Sequence, residues 1–318
     1  MRLQSSDCFH FRLPGGLGNQ LFGLFASRYI SQITGLINHL DFDGVDYSHT
    51  NLRSDLRSFD LDSREQEVCK KGNIVNWYLQ FLKKSSALLK LNESSILNWM
   101  GIAQFPILRD SKLDLDDFLS TQLNSDRRFF VLRIIDSYMA DFAFFDALQP
   151  VRKLPLQLKN PSDRFSRLVT NMQLKNTIAV HLRLGDFLEN RSSIGLLGDE
   201  YFIKAISKLA ESGEFEKVLV FSDSTSLALH RISGWNGSLP IEVVESTPMD
   251  DPAEDLKLMS ACGGIVCSNS TFSFWAAKLA SGSDPQTPVV VPSSFRKDHA
   301  ASVKSIPLGW HLESPFWV

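Results

Sequence analysis

The stretch TIAVHLRLGDF, residues 177–187, decides how this chain is read. Its first eight residues are rich in β-branched and apolar side chains, and they read as a buried strand. Gly185 breaks the run and leaves Asp186 just beyond it. Further short β-rich runs follow: VLVFS (218–222), IEVVE (241–245), GIVCS (264–268) and PVVVP (288–292). Helix-length segments near 200–212, 224–232, 252–262 and 270–281 separate them. Strands alternating with helices in this way predict a parallel sheet covered on both faces. The third helix opens at Asp251-Pro252-Ala253-Glu254, with Asp as cap, Pro in the first turn and Glu at the capping-box position.

The first half begins as another α/β unit. CFHFRL (8–13) reads as a strand, followed by a Gly-rich turn, a helix from about 19 to 34 and a second strand, LINHLDF (36–42). Helical segments are expected near 74–90, 112–124 and 140–148, with a strand at FFVLRII (129–135). Pro150, Pro155 and Pro161 mark a linker. The expected division is an N-terminal α/β domain with a helical insert, residues 1–152, and a C-terminal Rossmann-like domain, residues 153–318.

Composition narrows the function classes. The 318 residues are 43% hydrophobic and 22% charged, a globular mix that excludes a disordered or fibrous chain. Net charge is −3, so there is no bulk attraction for nucleic acid and no nucleic-acid partner is expected. The aromatic count is unusual, with 23 Phe and 6 Trp against 5 Tyr, and predicts substantial cores. Cys8, Cys69, Cys262 and Cys267 form no CxxC pair and read as reduced thiols of a cytoplasmic protein. The N-terminal MRLQSSDCFHFRL lacks a signal-peptide apolar run, and no apolar stretch is long enough to span a membrane.

Four constellations can carry chemistry. Gly15-Gly16-Leu17-Gly18-Asn19-Gln20 joins the first strand to the first helix, where backbone N–H groups can cradle an anion. Leu21 breaks the dinucleotide fingerprint and no Lys-Ser/Thr follows, so a plain tight turn is the competing reading. In His181-Leu182-Arg183-Leu184-Gly185-Asp186, strand alternation puts His181 and Arg183 on one side. Arg183 suits a phosphate, and Asp186 can orient it, contact sugar hydroxyls or accept a proton. The competing reading there is a surface Arg–Asp pair beside a packed His.

Asp223, in Phe221-Ser222-Asp223-Ser224, is a candidate polar ligand for nucleotide or sugar; Ser-Asp-Ser is equally a helix cap. The last constellation joins Asp255-Leu256-Lys257-Leu258-Met259-Ser260 to Cys267-Ser268-Asn269-Ser270-Thr271-Phe272-Ser273-Phe274-Trp275. Ser270 and Thr271 would open a helix with hydroxyls and N–H groups together, a second phosphate cradle. Asp255 can accept from the N1–H and exocyclic amine of guanine, or simply favour the helix dipole. Phe272, Phe274 and Trp275 read as core. Three Asp-x-Asp pairs exist, Asp41/Asp43, Asp60/Asp62 and Asp114/Asp116, but none has an evident third ligand, so no metal is expected.

Taken in this order and spacing, GGLGNQLF, H-x-R-x-G-D-F, FSDS and DLKLMSAC…SNSTFSFWAAKL resemble the motifs of the bacterial α-1,2-fucosyltransferases, glycosyltransferase family 11. The resemblance spans roughly residues 10–280. It implies an α/β, GT-B-like fold of two Rossmann-like domains facing across a cleft, the first on the acceptor side and the second binding the GDP-sugar. It also implies metal-independent, inverting transfer of L-fucose from GDP-fucose to a galactose 2-hydroxyl, with no cofactor beyond the donor.

Carried over residue by residue, the resemblance gives His181 and Asp255 to guanine and Arg183 to the pyrophosphate. Ser270 and Thr271 fall to the phosphates, Asp223 and Asn269 to the donor, and Gly16, Gly18 and Asn19 to closure of the donor site. Asp186 is the candidate general base and Glu189 the second choice. Leu184 stands where the family often has a second Arg, Phe187 where Tyr is common, Ser224 where Asp is common and Phe274 where Trp is common. The Leu184 departure keeps open a weakly catalytic nucleotide-sugar-binding protein or a transferase of another GDP-sugar.

A nicotinamide-dependent oxidoreductase is the third class, already weakened by the broken fingerprint. The expected partner is a galactose-terminated oligosaccharide or a lipid-linked glycan. Residues 74–102 interleave Trp77, Tyr78, Phe81, Trp99 and Met100 with Lys83, Lys84 and Lys90. That pattern is a candidate for peripheral contact at the inner membrane face, or a domain core with solvated lysines.

Overall fold

The computed structural model describes residues 9–13, 15–36, 38–41, 56–61, 65–67, 102–105, 132–135, 156–185, 192, 194–247, 249–297, 306–307 and 309–318. The segment 74–101, the expected helices at 74–90, 112–124 and 140–148, and Asp186 and Glu189 lie outside the described residues. The chain divides into two compact units between Leu156 and Gln157.

The first unit is built on a parallel sheet of β1 (Phe9–Arg12), β2 (Asn38–Asp41), β3 (Glu65–Glu67), β4 (Ile102–Phe105) and β5 (Leu132–Ile135), in the order β3-β2-β1-β5-β4. The helix α1 (Leu17–Thr34) follows β1 and is buried along most of its length. Strands β3 and β4 had no signal in the sequence reading. β3 is Glu-Gln-Glu at a sheet edge, three polar residues without an apolar alternation to betray them.

The second unit holds six parallel strands: β6 (Thr177–Leu182), β7 (Lys217–Ser222), β8 (Ile241–Val243), β9 (Gly264–Val266), β10 (Val289–Pro292) and β11 (His311–Glu313). Their order is β11-β10-β9-β6-β7-β8. The chain starts in the middle with β6, builds outward through β7 and β8, then returns to the other side of β6 with β9. All six residues of β6 are buried, as expected for the strand at the centre of a sheet covered on both faces. The strand ends at Leu182, so Arg183 lies past it in a turn and strand alternation does not place its side chain.

Among the described residues this unit has five α-helices: α2 (Asp163–Asn171), α3 (Asp199–Ser212), α4 (Thr225–Ile232), α5 (Pro252–Ala261) and α6 (Thr271–Ser283). Four match the expected segments; α2, directly after the prolines, was not anticipated. α3 buries Tyr201, Phe202, Ala205, Ile206 and Leu209, one stripe at helical spacing, against β6, β9 and β10. Each large side chain in that stripe contributes about 1.5–3 kcal/mol. Phe202 stacks on Trp235, and Phe274 meets Trp275 and Trp310 edge-on, which places part of the aromatic excess in this core.

At the α5 N-terminus Asp251 accepts from the Ala253 N–H at 2.9 Å and Pro252 takes the first turn. Glu254 does not close the expected capping box. Its carboxylate reaches Ser162 at the start of α2 instead, at 2.6 and 2.7 Å. Cys262 and Cys267 are free, buried thiols; burial pushes Cys262 up to about 12, so neither is poised as a nucleophile. No helix among the described residues is long and apolar enough to cross a membrane.

One buried polar tie locks α3 to the end of β9: the Tyr201 hydroxyl donates to the Cys267 carbonyl at 2.7 Å. Tyr201→Phe leaves that carbonyl without its donor and is expected to cost about 1–3 kcal/mol. Urea unfolding followed by tryptophan fluorescence measures the loss; an unchanged midpoint would show the tie to be dispensable.

Candidate active site

In an open α/β sheet, the carboxyl ends of two neighbouring strands diverge where the strand order reverses, and ligands bind in the crevice between them. In the second unit that place lies between β6 and β9, which pair in parallel with Val180 opposite Val266. His181 and Arg183 stand at the end of β6, and Ser268–Thr271 at the end of β9. With β7 on the other side of β6 bringing Asp223, the sheet gathers residues of three of the four sequence constellations.

His181 is 4% exposed, and its Nδ1 lies 2.7 Å from the Ser268 hydroxyl. Ser268 in turn lies 3.3 Å from the Ser273 hydroxyl, which donates to the carbonyls of Ser268 and Ser270. Burial, with Arg183 close by, holds the imidazole down at about 3, so His181 is neutral at physiological pH. Phe272 packs over the ring with centroids 5.1 Å apart. Phe272 is thus half-buried against His181 rather than in the core, whereas Phe274 and Trp275 are core.

Arg183 pairs with Asp223 at the end of β7, Nη1 to Oδ2 at 3.1 Å. The same carboxylate accepts from the Leu184 N–H at 2.8 Å and the Gly185 N–H at 3.1 Å. Asp223 is therefore neither a helix cap nor a bare ligand; it clamps the turn that carries Arg183. The cap residue of α4 is Ser224, without a side-chain cap bond. A β-carbon at Gly185 would meet Asp223 Oδ2 at 2.8 Å, so the clamp requires glycine there. Leu184, at the family's second Arg position, is 3% exposed in the hydrophobic core, and no cation can act from it.

At the start of α6, Ser270 caps the helix by accepting from the Phe272 N–H at 3.3 Å, which leaves its own proton for a ligand. Thr271 is the first helical residue. Asn269 Nδ2 donates to the carbonyls of Gly195 and Phe295, at 3.1 and 3.3 Å. Nδ2 thus ties two loops together.

Asp255 stands in the first turn of α5, and its Oδ1 accepts from Arg164 Nη2 at 3.0 Å. Burial pushes its carboxyl above the ordinary aspartate value, while Arg164 pulls it back. Arg164 had no sequence signal. Ser268, quoted within its motif but given no role, is the other omission; two serines beside a buried His form a polar relay that only the β6–β9 pairing reveals. Among the described residues, no group of three or more His, Cys, Asp or Glu can hold a metal ion.

The Gly-rich turn belongs to the first unit and stands by itself. Gly15 has φ +75°, a left-handed conformation that favours glycine, and Gly16 precedes the first residue of α1. The helix begins at Leu17, so Gly18 and Asn19 lie within its first turn. Buried Gln20 holds the turn: its Nε2 donates to the Gly15 carbonyl at 3.0 Å, and its Oε1 accepts from the Leu56 N–H at 3.1 Å.

The chain is 24% identical over 280 residues to the O-antigen biosynthesis glycosyltransferase WbnK of Escherichia coli, covering 84% of this chain and 88% of that protein. It is 25% identical over 275 residues to an alpha-1,2-colitosyltransferase of Escherichia coli, covering 84% and 86%. The solved structure of POFUT1 in complex with GDP superposes with a TM-score of 0.53 at 13% identity, over 91% of this chain and 99% of that one. That likeness supports the α/β, GT-B-like fold. The family Glycosyl transferase family 11 matches residues 113–304. Because that match covers more than half of the chain and both strand ends at the order reversal, the protein belongs to glycosyl transferase family 11.

Proposed function

We propose that this glycosyltransferase moves L-fucose from GDP-fucose to a galactose 2-hydroxyl of a glycan, with inversion and without a metal. The observation that carries the reading is the meeting of Arg183, neutral His181 and the N-terminus of α6 at the carboxyl ends of β6 and β9. Such a place suits a nucleoside diphosphate: a guanidinium for the phosphates, helix N–H groups and a serine hydroxyl beside it. His181 and Asp255 would contact guanine, and Ser270 and Thr271 the phosphate oxygens. Asp223 and Asn269 would act one step back, by positioning Arg183 and the loops around the site.

Chemically, the acceptor oxygen attacks the anomeric carbon as the bond to the β-phosphate oxygen breaks, and the electron pair leaves with GDP. Without a metal, the growing charge on the diphosphate falls to Arg183 and the α6 N-terminus. A neutral imidazole suits a contact with guanine, since it offers a hydrogen bond without adding charge. The hydroxyl proton goes to a general base, for which Asp186 is the proposed group. A transferase of another GDP-sugar is the second reading, favoured by the relative named as a colitosyltransferase.

A screen of GDP-fucose, GDP-mannose and UDP-galactose on lactose, with linkage analysis of the product, tests the reading. An α-1,2-fucosylated product is expected, and transfer from another sugar nucleotide alone would replace it. Arg183→Ala is expected to fold yet lose about 10²–10³-fold in kcat; a variant transferring at the wild-type rate contradicts the role given to Arg183.

His181 supplies a pH prediction. Its folded value of about 3 lies below the ordinary 6.5, so between those limits the unfolded chain binds the proton and the folded chain does not. The associated stability is complete above pH 6.5 and declines as pH falls toward 3. Between pH 6.5 and 5 the loss is expected to reach about 2 kcal/mol. Urea midpoints of wild type and His181→Asn across this range should differ in slope, and parallel curves would refute the buried neutral His.

A further inference from the structure

We propose that Arg164 is a positioning residue for nucleotide-base recognition, holding Asp255 as a fixed acceptor for a purine that offers N1–H and an exocyclic amine. This rests on the reading of the site as a GDP-sugar site, but concerns a residue which that reading does not use.

Arg164 stands in the first turn of α2, and two interactions aim it. Ser162 caps α2 by accepting from the Phe165 N–H at 3.1 Å. The N–H and hydroxyl of Ser162 then donate to the two carboxylate oxygens of Glu254, at 2.6 and 2.7 Å. Glu254 is 3% exposed and directly precedes Asp255 on α5. The N-terminus of α2 is therefore fastened to the turn of helix that carries Asp255, with a carboxylate at the end of the helix where the dipole favours it.

From that fixed start, the guanidinium reaches two targets at once. Nε and Nη2 donate to the Glu245 carbonyl at 3.1 and 2.7 Å, just past β8, and Nη2 also donates to Asp255 Oδ1 at 3.0 Å. The planar fork thereby sets the plane and distance of the carboxylate against the sheet edge. Among the described residues, Asp255 Oδ2 accepts no hydrogen bond, while the side chain keeps 13% exposure. Oδ2 is left to accept and Oδ1 keeps a second lone pair, so the two oxygens can meet the two adjacent N–H groups of guanine.

The charges make Arg164 necessary. The groups facing Asp255 are Arg164 from α2, and Asp250 and Glu254 from its own loop and helix. Asp250 and Glu254 lie 3.9 Å from the guanidinium, so one cation serves three carboxylates. With Arg164 removed, three acids face one another in a largely buried place and Asp255 takes up a proton more readily. A protonated carboxyl has one acceptor fewer and a donor facing another donor, so base recognition weakens.

Titration calorimetry of the full chain with GDP and with inosine diphosphate, which lacks the exocyclic amine, tests this at pH 6, 7 and 8. Wild type should prefer GDP with little pH dependence. Arg164→Met should weaken GDP binding roughly 10- to 100-fold. The loss should be larger at pH 6 than at pH 8, with the preference over inosine diphosphate reduced. Asp255→Asn should lose the same preference without acquiring the pH dependence. Arg164→Lys, which keeps the charge, should restore most of the pH independence, and it decides the matter if the Met variant does not fold. Wild type that binds no GDP would overturn the donor reading itself. Wild type that prefers GDP, with an Arg164→Met variant keeping the same preference and pH profile, would overturn only the role of Arg164.

Discussion

The parallel pairing of β6 with both β7 and β9 is the constraint on which the second unit depends. It sets His181 beside Ser268, brings Asp223 from the end of β7 to the turn after β6, and points the first residues of α6 at the same edge. None of these contacts is local: Asp223 acts 39 residues from Leu184, and Ser268 acts 87 residues from His181. A slip of one residue in β6 would turn its side chains to opposite faces and dissolve the site.

Two arginine–carboxylate pairs do different work on this framework. Arg183 with Asp223 places a cation where a leaving diphosphate can meet it, and the carboxylate also fixes the turn through two backbone N–H groups. Arg164 with Asp255 runs the other way, the cation anchoring one oxygen of an acid that burial makes easier to protonate. Opposite charges at about 4 Å attract by about 4 kcal/mol at the effective dielectric near a protein surface. Both carboxylates are mostly buried, so desolvation offsets part of this attraction. Buried His181 is neutral, so it offers hydrogen bonds and leaves the cationic role to Arg183.

Much of this was legible in the sequence, for a physical reason: central strands of a parallel sheet are continuous apolar runs, and β6, β7, β9 and β10 all announce themselves. His181, Arg183, Asp255 and Ser270 could be picked because each sits at an element end in a recognisable motif. What escaped shares another property. β3 and β11 are three-residue edge strands with little apolar pattern. α2 is a short, largely exposed helix directly after prolines that read as a linker. Arg164 acquires its meaning only from partners 81 and 91 residues away, and Glu254 leaves its expected capping role for one 92 residues away. Local rules placed the elements; long-range carboxylate partners decided what the side chains on them do.

The central claim is that the reversal in strand order between β6 and β9 binds the diphosphate of a GDP-sugar. A crystal structure of the chain with GDP tests it most directly. The account predicts the diphosphate within hydrogen-bonding distance of Arg183 and the Ser270 hydroxyl, with the base toward Asp255. Nucleotide bound elsewhere, with the ends of β6 and β9 empty, would contradict it.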